Sequence, residues 1–417
     1  MAHIIFLVGL GYGDEGKGAT IDALSARRGG AKLVVRFNGG AQAAHNVVTP
    51  DGRHHTFAQF GSGTFAGART HLSRFMLVNP LSIDAEANHL HSLGVKDPHN
   101  LLTVEEEAPI TTPFHVLANR LRERLRGDGR HGSCGMGIGE TMKDVLAHRY
   151  LRAVDLLDFD YTEEILRAMQ KDKAFAFKDL PVADLPEWLT DPDLVPRIMY
   201  GYRKFVQLVN IVPTSYLRDE LQGQGTVLFE GAQGVLLDQS YGFFPHVTHS
   251  DTTFNNADKL IEGLNIKPLR IGVTRAHMTR HGAGPFVTET PGWDPGGDHN
   301  KQGEWQGGLR YGQLDLVALR YSIGVLGGVD RLVMTHMDQP SELTCVGYIV
   351  DGDAHADIPR SPKPDLVYQD MLTQWLGRAQ PVYSNSPFSL RTGRTLLGVP
   401  FGAFSCGPSR DDFKLDL

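Results

Sequence analysis

The stretch Gly9-Leu10-Gly11-Tyr12-Gly13-Asp14-Glu15-Gly16-Lys17-Gly18 follows an apolar run at residues 4–8 and precedes residues 19–27, whose pattern predicts a helix. A strand, a glycine-rich turn and a helix in this order allow backbone N–H groups to bind phosphates. From Gly11 the spacing is that of a Walker A loop, except that Gly18 replaces the Ser or Thr whose hydroxyl holds Mg²⁺. Asp14 is therefore the candidate metal ligand. A plain strand-to-helix turn is the alternative, because a chain with 47 glycines contains chance glycine patterns.

The composition bounds the class of protein. The 417 residues are 41% hydrophobic and 21% charged, as expected for a large globular enzyme. Apolar runs are no longer than a strand, and the chain begins in one, so we expect neither a membrane span nor a secretory signal. A net charge of −7 argues against nucleic acid as a partner. Three cysteines without a C-x-x-C pair predict a cytoplasmic location.

The order of the predicted elements indicates an α/β fold. Strands are predicted at residues 4–8, 32–37, 226–229, 270–274 and 331–335, and helices at residues 19–27, 112–126 and 314–323. A further short apolar stretch stands at residues 401–404. This order predicts a large, mostly parallel central sheet with flanking helices. Residues 151–222 are mainly helical in pattern. We therefore expect a single domain over residues 1–417 with a helical insertion at about 112–222.

Polar residues follow several of these strands and are expected to converge on one crevice, because strand ends meet at one edge of a parallel sheet. Asp14 is the candidate base, since a carboxylate in a phosphate loop can both bind Mg²⁺ and accept a proton. His45, at the end of the run Gly40-Ala41-Gln42-Ala43-Ala44-His45, is the candidate acid. A structural role is the alternative for any one of 18 histidines.

Two further turns suggest a site for a nucleotide base. Thr335-His336-Met337-Asp338 is similar to the x-K-x-D turn whose aspartate binds guanine in GTP-binding proteins. Ser405-Cys406-Gly407-Pro408 is placed to close over the same base. A simple strand-ending turn is the alternative for the first of them.

Six motifs together resemble the adenylosuccinate synthetase family. They stand in the family's order from the first strand almost to the C-terminus: Gly13–Gly18, Gly40…His45, Phe229-Glu230-Gly231-Ala232-Gln233-Gly234, Arg280…Gly282-Ala283-Gly284-Pro285-Phe286, Thr335…Asp338 and Ser405…Pro408. The resemblance implies a P-loop-like, GTP-dependent ligase fold. Members join IMP and L-aspartate with GTP and Mg²⁺, through a 6-phosphoryl-purine intermediate, and form homodimers.

The resemblance also implies roles for individual residues. The catalytic residues are Asp14, His45 and Gln233, and Mg²⁺ is held by Asp14 and the carbonyl of Ala44. The expected GTP-binding residues are Gly13, Glu15, Gly16, Lys17, Gly18, Asp338, Ser405, Gly407 and Pro408. The purine substrate is assigned to Asp14, Gln42, Cys134, Gln233 and Thr248, and the amino acid to Arg310 and Arg280. His148 and Arg149 fall where the family has an arginine that reaches the partner subunit's nucleotide.

Several positions depart from the family pattern. Gln42 replaces an asparagine, Ala44 a glycine and His336 the lysine of the guanine turn. The loop at residues 305–315 retains only Arg310 of several arginines that bind the carboxylates of aspartate. These changes leave three alternatives: a phage-type relative that acts on dGMP, a paralogue with another purine nucleotide, and a nucleotide-binding regulator without ligase activity. Asp14 favours the ordinary reaction, because the phage-type branch tends to replace it.

Overall fold

The computed structural model describes residues 2–129, 132–180, 186–297, 302–303, 305, 307–384 and 388–416. Gln306, in the arginine-poor loop, lies outside the described residues.

Within these ranges the strands are β1 (His3–Gly9), β2 (Ala31–Arg36), β3 (His45–Val48), β4 (His54–Phe57), β5 (Arg69–Leu72), β6 (Leu102–Glu105), β7 (Asn210–Val212), β8 (Thr226–Gly234), β9 (Leu269–Arg275), β10 (Met278–His281), β11 (Gln302–Gly303), β12 (Gly307–Gly312), β13 (Leu314–Asp315), β14 (Arg331–Thr335), β15 (Thr344–Val350), β16 (Asp353–His355), β17 (Gln380–Tyr383), β18 (Phe401–Ser405) and β19 (Phe413–Leu415). The α-helices are α1 (Lys17–Ser25), α2 (Pro80–Ser92), α3 (Pro113–Leu125), α4 (Ile138–Leu146), α5 (Phe159–Ala176), α6 (Leu194–Leu208), α7 (Ser215–Gln222), α8 (Asn255–Leu260), α9 (Leu316–Val325), α10 (Leu366–Arg378) and α11 (Leu390–Leu397). None of the helices in the described part is long and apolar enough to cross a membrane.

A ten-stranded sheet organises the molecule, in the order β19-β18-β14-β9-β1-β8-β2-β5-β6-β7. Every neighbouring pair is parallel except β18 and β19. The structure thus confirms the prediction of a large, mostly parallel α/β sheet. Because its parallel strands end at one edge, the loops after β1, β2, β8 and β14 meet there.

Both faces of the sheet are covered, which explains the continuous apolar pattern of β1. Ile4, Phe6 and Val8 belong to one buried cluster, which includes residues of α7 and α9. Ile5 and Leu7 point to the opposite cluster, which includes residues of α1. Alternate side chains of a strand face opposite sides, so this one segment anchors both layers.

Several predicted boundaries were wrong. The helix predicted at residues 19–27 is α1, which begins and ends two residues earlier, at Lys17 and Ser25. The strand predicted at residues 226–229 continues through the polar motif to Gly234, because it lies between β1 and β2 and pairs with both. The helix predicted to begin at Leu314 begins at Leu316, after the two residues of β13. Residues 113–222 contain α3 to α7, and they also contain β7, which pairs with β6 at the edge of the main sheet.

Candidate active site

The glycine-rich loop at residues 9–18, called the phosphate loop below, is held in place by one of its own carboxylates. Glu15 Oε1 accepts hydrogen bonds from the backbone N–H groups of Gly11 (2.9 Å) and Gly13 (2.7 Å). Its Oε2 pairs with Lys17 Nζ at 2.6 Å, and Lys17 also donates to Gly13 O at 2.7 Å. Both side chains are almost completely buried. Glu15 therefore shapes the loop from within, although it was expected among the nucleotide ligands.

Gly18 has a steric reason to be glycine. A Cβ at this position would lie 2.8 Å from Cβ of His45, a contact that real Cβ atoms do not make. A Ser or Thr after the lysine, as in a Walker A loop, therefore does not fit beside this histidine.

Two cavities lie along the loop. The larger, of about 940 Å³, is lined by every residue expected at the purine substrate: Asp14, Gln42, Cys134, Gln233 and Thr248. The smaller is lined by all the expected GTP residues except Glu15: Gly13, Gly16, Lys17, Gly18, Asp338, Ser405, Gly407 and Pro408. The residues expected at the purine substrate and those expected at GTP therefore line two separate, neighbouring cavities.

Four residues line both cavities: Gly13, Asp14, Ala44 and His45. These include the candidate base, the candidate acid and both candidate metal ligands. A group bound in the smaller cavity and a molecule bound in the larger one meet at these residues. The arrangement is suited to transfer of a group between two bound molecules.

His45 is paired with a buried carboxylate. Its Nδ1 lies 2.6 Å from Oε1 of Glu230, whose two oxygens also accept hydrogen bonds from the amide and hydroxyl groups of Ser62. Burial lowers the pKa of His45 to about 4, against the opposing effect of Glu230. Burial by itself raises the pKa of Glu230, but the charge of Arg36 and the hydrogen bond with His45 outweigh it and lower this pKa to about 2. The pair is therefore a neutral imidazole that donates from Nδ1 to an ionised carboxylate.

Two glutamines present unused polar atoms in the larger cavity. Oε1 and Nε2 of Gln42 and Oε1 of Gln233 are buried and have no hydrogen-bond partner among the described residues. Gln233 also has a left-handed backbone, with φ of +55°. Buried amides without partners are costly, so these two mark a place where a ligand supplies the missing hydrogen bonds.

Asp14 lies at the junction of several groups. Its Oδ2 is 3.7 Å from Nε2 of His281, and its backbone carbonyl accepts a hydrogen bond from Nε of Arg275. The described residues contain no cluster of three or more histidines, cysteines or carboxylates suited to a metal. Asp14 and Ala44 nevertheless both line the two cavities. A carboxylate and a backbone carbonyl are oxygen donors of the kind that hold Mg²⁺ together with nucleotide oxygens and water.

The predicted guanine turn lines the smaller cavity with Thr335, His336 and Asp338. Met337 donates its backbone N–H to Ser405 O at 2.9 Å, which joins the two turns. His336 has φ of +58°, and its Nδ1 lies within hydrogen-bond distance, 2.9 Å, of the hydroxyl of Thr335. Asp338 and Ser405 both line the cavity, so a base bound there contacts both turns.

The two arginines expected at the amino acid are engaged internally. Arg310 is bound by Glu289, with Nε to Oε1 at 2.9 Å, and it lines neither cavity. Arg280 lines the larger cavity, but it is buried and donates to the carbonyls of Ala283 and Pro285. Burial raises the pKa of the Cys134 thiol in the same cavity to about 11, so this group is a neutral contact there.

The partners of the expected residues were not predictable from the motifs. Glu230, Ser62 and Glu289 had no assigned role, although each contacts a predicted residue or its partner. A charged residue directly after the apolar run of β8 was a usable signal for Glu230, since a buried carboxylate needs a partner. Nothing local pointed to Ser62, which is 168 residues from Glu230.

Comparisons with known proteins show which family the chain resembles. A family model described as adenylosuccinate synthetase matches residues 6–413. The chain is 32% identical to an adenylosuccinate synthetase of Chlorobium chlorochromatii, over 97% of this chain and 96% of that protein. It is 30% identical to that of Mycobacterium marinum, over 98% and 96%.

Two solved structures share the fold. Fully ligated adenylosuccinate synthetase from Plasmodium falciparum superposes with a TM-score of 0.80 at 21% identity, covering both chains completely. Succinoaminodeoxyadenylate synthetase of cyanophage S-2L, bound to dGMP and to dATP as an energy donor, superposes with a TM-score of 0.62 at 16% identity, covering all of this chain and 96% of that one.

Proposed function

Because the chain belongs to the adenylosuccinate synthetase family, a family of ligases, we propose that it joins IMP and L-aspartate to form adenylosuccinate with cleavage of GTP. The observation that carries the proposal is the pair of cavities that share Asp14 and His45. GTP in the smaller cavity and IMP in the larger one would bring the γ-phosphoryl group to the 6-oxygen of the purine. Aspartate then displaces phosphate from the activated carbon.

Asp14 acts as the base in this proposal. It removes the proton from N1 of the purine, which places negative charge on the 6-oxygen and makes it a nucleophile for phosphorus. Gln42 and Gln233 supply amide groups to the purine, in keeping with their buried and unpartnered atoms. Thr248 and Cys134 line the same cavity.

His45 supports the oxygen that gains charge. Burial keeps the imidazole neutral before substrates bind, and the negative charge of a bound triphosphate raises its affinity for a proton. Glu230 fixes the ring through Nδ1 and stabilises the protonated form. The opposite nitrogen then donates to the 6-oxygen during phosphoryl transfer and to the departing phosphate afterwards.

Mg²⁺ fits this site through Asp14 and the carbonyl of Ala44. When bound, the ion neutralises charge that develops on the phosphoryl oxygens. In the proposal Lys17 and the N-terminus of α1, which line the smaller cavity, hold the phosphates of GTP. Glu15 keeps the loop and Lys17 in position.

Asp338 selects the energy donor in the proposal. A carboxylate can accept two hydrogen bonds from the N1–H and 2-amino groups of guanine, which adenine does not offer. His336 takes the place of the family's lysine beside the base, and Ser405, Gly407 and Pro408 line the same cavity.

A dGMP-dependent synthetase is the second candidate function. It is favoured by the arginine-poor loop, in which the retained Arg310 is occupied by Glu289. Asp14 favours IMP, because the phage-type branch that acts on dGMP tends to replace this aspartate.

The test is a substrate comparison with purified protein. With GTP, Mg²⁺, L-aspartate and IMP we expect the absorbance change of adenylosuccinate formation. Turnover with dGMP but not with IMP would establish the second candidate. Absence of turnover with both nucleotides, while GTP binds, would contradict a ligase and favour the regulator.

The homodimer, the cytoplasmic location and the single domain over residues 1–417, with its helical insertion at about 112–222, belong to the same proposal. Leu146 lines the larger cavity and is 78% exposed in the single chain, which is consistent with cover by a second copy near His148 and Arg149. Cys134, Cys345 and Cys406 are all unpaired, as expected in a reducing compartment. Pairing of β7 with β6 supports one domain, since it places residues of the helical region in the main sheet.

A further inference from the structure

Two arginines bind four successive backbone carbonyls in the turn that follows β10. Arg310 donates from Nη1 to the oxygens of Gly282 (2.8 Å) and Gly284 (3.1 Å). Arg280 donates from Nε to Ala283 O (3.2 Å) and from Nη1 to Pro285 O (2.7 Å). We call residues 282–285 the clamped turn. Its conformation depends on both guanidinium groups, because each of them binds two of the four oxygens.

Glu289 completes the binding of Arg310. Its Oε1 accepts a hydrogen bond from Arg310 Nε at 2.9 Å, and its Oε2 accepts one from Arg310 Nη2. The carboxylate therefore pairs with the guanidinium in a bidentate manner. These bonds and the two to the clamped turn use four of the five N–H groups of Arg310. A ligand carboxylate would have to displace Glu289 to bind Arg310 in the same manner.

Arg280 connects the clamped turn to the phosphate loop. Its guanidinium lies over the ring of Tyr12, 4.3 Å from the centroid, and the Tyr12 hydroxyl donates to Pro285 O at 3.2 Å. A side chain at Gly284 would collide with this guanidinium, and Gly284 also has φ of +110°. Tyr12 directly precedes Gly13 and Asp14, so the clamped turn and the phosphate loop are held by one set of contacts.

The clamped turn forms part of the wall facing Asp14. Ala283 and the preceding His281 both line the larger cavity. His281 Nε2 lies 3.7 Å from Asp14 Oδ2. A displacement of the turn would therefore change the space around the candidate base.

From these contacts we propose that Arg280 and Arg310 are positioning residues, which hold the clamped turn and the phosphate loop together, and that Arg310 does not bind the carboxylates of the amine donor. This inference rests on the proposed ligase function and deepens it. If the inference holds, the carboxylates of the amine donor are bound by residues of the site other than Arg310. Glu289 becomes a member of the same positioning group.

The test compares Arg310→Gln, Glu289→Gln and the double variant in steady-state assays with GTP, Mg²⁺, IMP and L-aspartate. The matched control is Arg378→Gln, which removes another bidentate arginine–carboxylate pair, with Asp351, on α10 and away from both cavities. Arg310→Lys restores a cation but not the planar fork.

A positioning role predicts a fall in kcat of about 10-fold in either single variant, with the KM for aspartate changed less than about 3-fold. The double variant should be no worse than the singles, because the two side chains act as one unit. Arg310→Lys should recover part of the activity, and Arg378→Gln should match the unmodified chain.

A rise of about 20-fold or more in the KM for aspartate in Arg310→Gln, with kcat and Glu289→Gln unaffected, would overturn the proposal. If Arg310→Gln does not fold, Glu289→Gln carries the same comparison, since it keeps the shape of the side chain. If no ligase turnover is found, the proposed function fails, and the positioning role is then tested separately by measuring GTP affinity by calorimetry. A positioning role predicts weaker GTP binding in Glu289→Gln, and an unchanged GTP affinity would contradict that role.

Discussion

Asp14 is a single carboxylate that lines both cavities and has two proposed tasks, accepting the N1 proton and holding Mg²⁺. Asp14→Asn keeps the shape of the side chain and removes its basicity. We expect kcat to fall by about 10²–10⁴-fold, the usual contribution of a general base. The thermal midpoint should remain unchanged, because the contact of Asp14 with His281 is long, at 3.7 Å. Substantial turnover by the Asp14→Asn enzyme would exclude the role as base.

Glu230 places His45, so its charge is expected to matter as much as that of the imidazole. In Glu230→Gln we expect kcat to fall by about 10²-fold or more. We also expect a lower thermal midpoint, because buried Arg36 loses its compensating charge.

Glu86→Gln is the matched control for Glu230→Gln. Glu86 is another buried carboxylate, which accepts backbone hydrogen bonds from Ala58, Gln59 and Phe60 and lines neither cavity. The control should lose stability without a comparable loss of kcat. Equal loss of kcat in both variants would mean that Glu230 acts only through stability.

Asp338 is expected to distinguish nucleotides by its two carboxylate oxygens. Asp338→Asn replaces one acceptor by a donor, so the KM for GTP should rise by about 10-fold or more, the effect of losing a charge-assisted hydrogen bond. ITP lacks the 2-amino group, and its KM should change less. Initial rates with GTP, ITP and ATP measure this, and an unaltered preference for GTP would place base recognition elsewhere.

At the scale of elements, α9 shows how a buried cap makes stability depend on pH. Asp315 caps this helix by accepting from the N–H groups of Val317 and Ala318, both at 3.0 Å, and from the hydroxyl of Tyr348 at 2.6 Å. Burial outweighs these hydrogen bonds and raises the pKa of Asp315 to about 6, from 3.8. The folded state therefore binds a proton more tightly than the unfolded state, and ionisation of Asp315 opposes folding as pH rises from 3.8 to about 6.

Asp315→Asn keeps a good capping residue and removes this titration. Relative to the variant, the unmodified chain should lose about 2 kcal/mol of unfolding free energy between about pH 4.5 and pH 7. Urea unfolding of both proteins at the two pH values measures the difference, and other groups cancel because they are common to both. A difference that does not change with pH would mean that Asp315 titrates normally in the folded chain.

At the scale of the whole molecule, we expect two copies to form the active unit. Light scattering should give twice the mass of one chain, and dilution to the monomer should reduce turnover, because the open side of the larger cavity near Leu146 would lose its cover. The side chain of Arg149 is 75% exposed and makes a long 3.9 Å contact with Asp172, so it can reach a second copy. A monomer with full activity would contradict this arrangement.

The sequence by itself determined the five strands at the centre of the sheet (β14, β9, β1, β8 and β2) and the phosphate loop, and it named two groups of candidate residues whose binding roles stay predictions. These features depend on local spacing: an apolar run before glycines predicts β1 and α1, and polar residues after strands predict the crevice. Asp14 and His45 could be named for that reason, whereas Gln42 and Gln233 were assigned through the resemblance to the family.

Only the tertiary structure decided what each of these residues contacts. Glu15 accepts hydrogen bonds from its own loop, and Glu230 contacts His45 and Ser62, which are distant in sequence. Arg310 is bound by Glu289 and by the clamped turn. The availability of a charged side chain depends on which partners fold next to it, and those partners are distant in sequence. A motif can therefore identify Arg310, but the contacts around it define what it does.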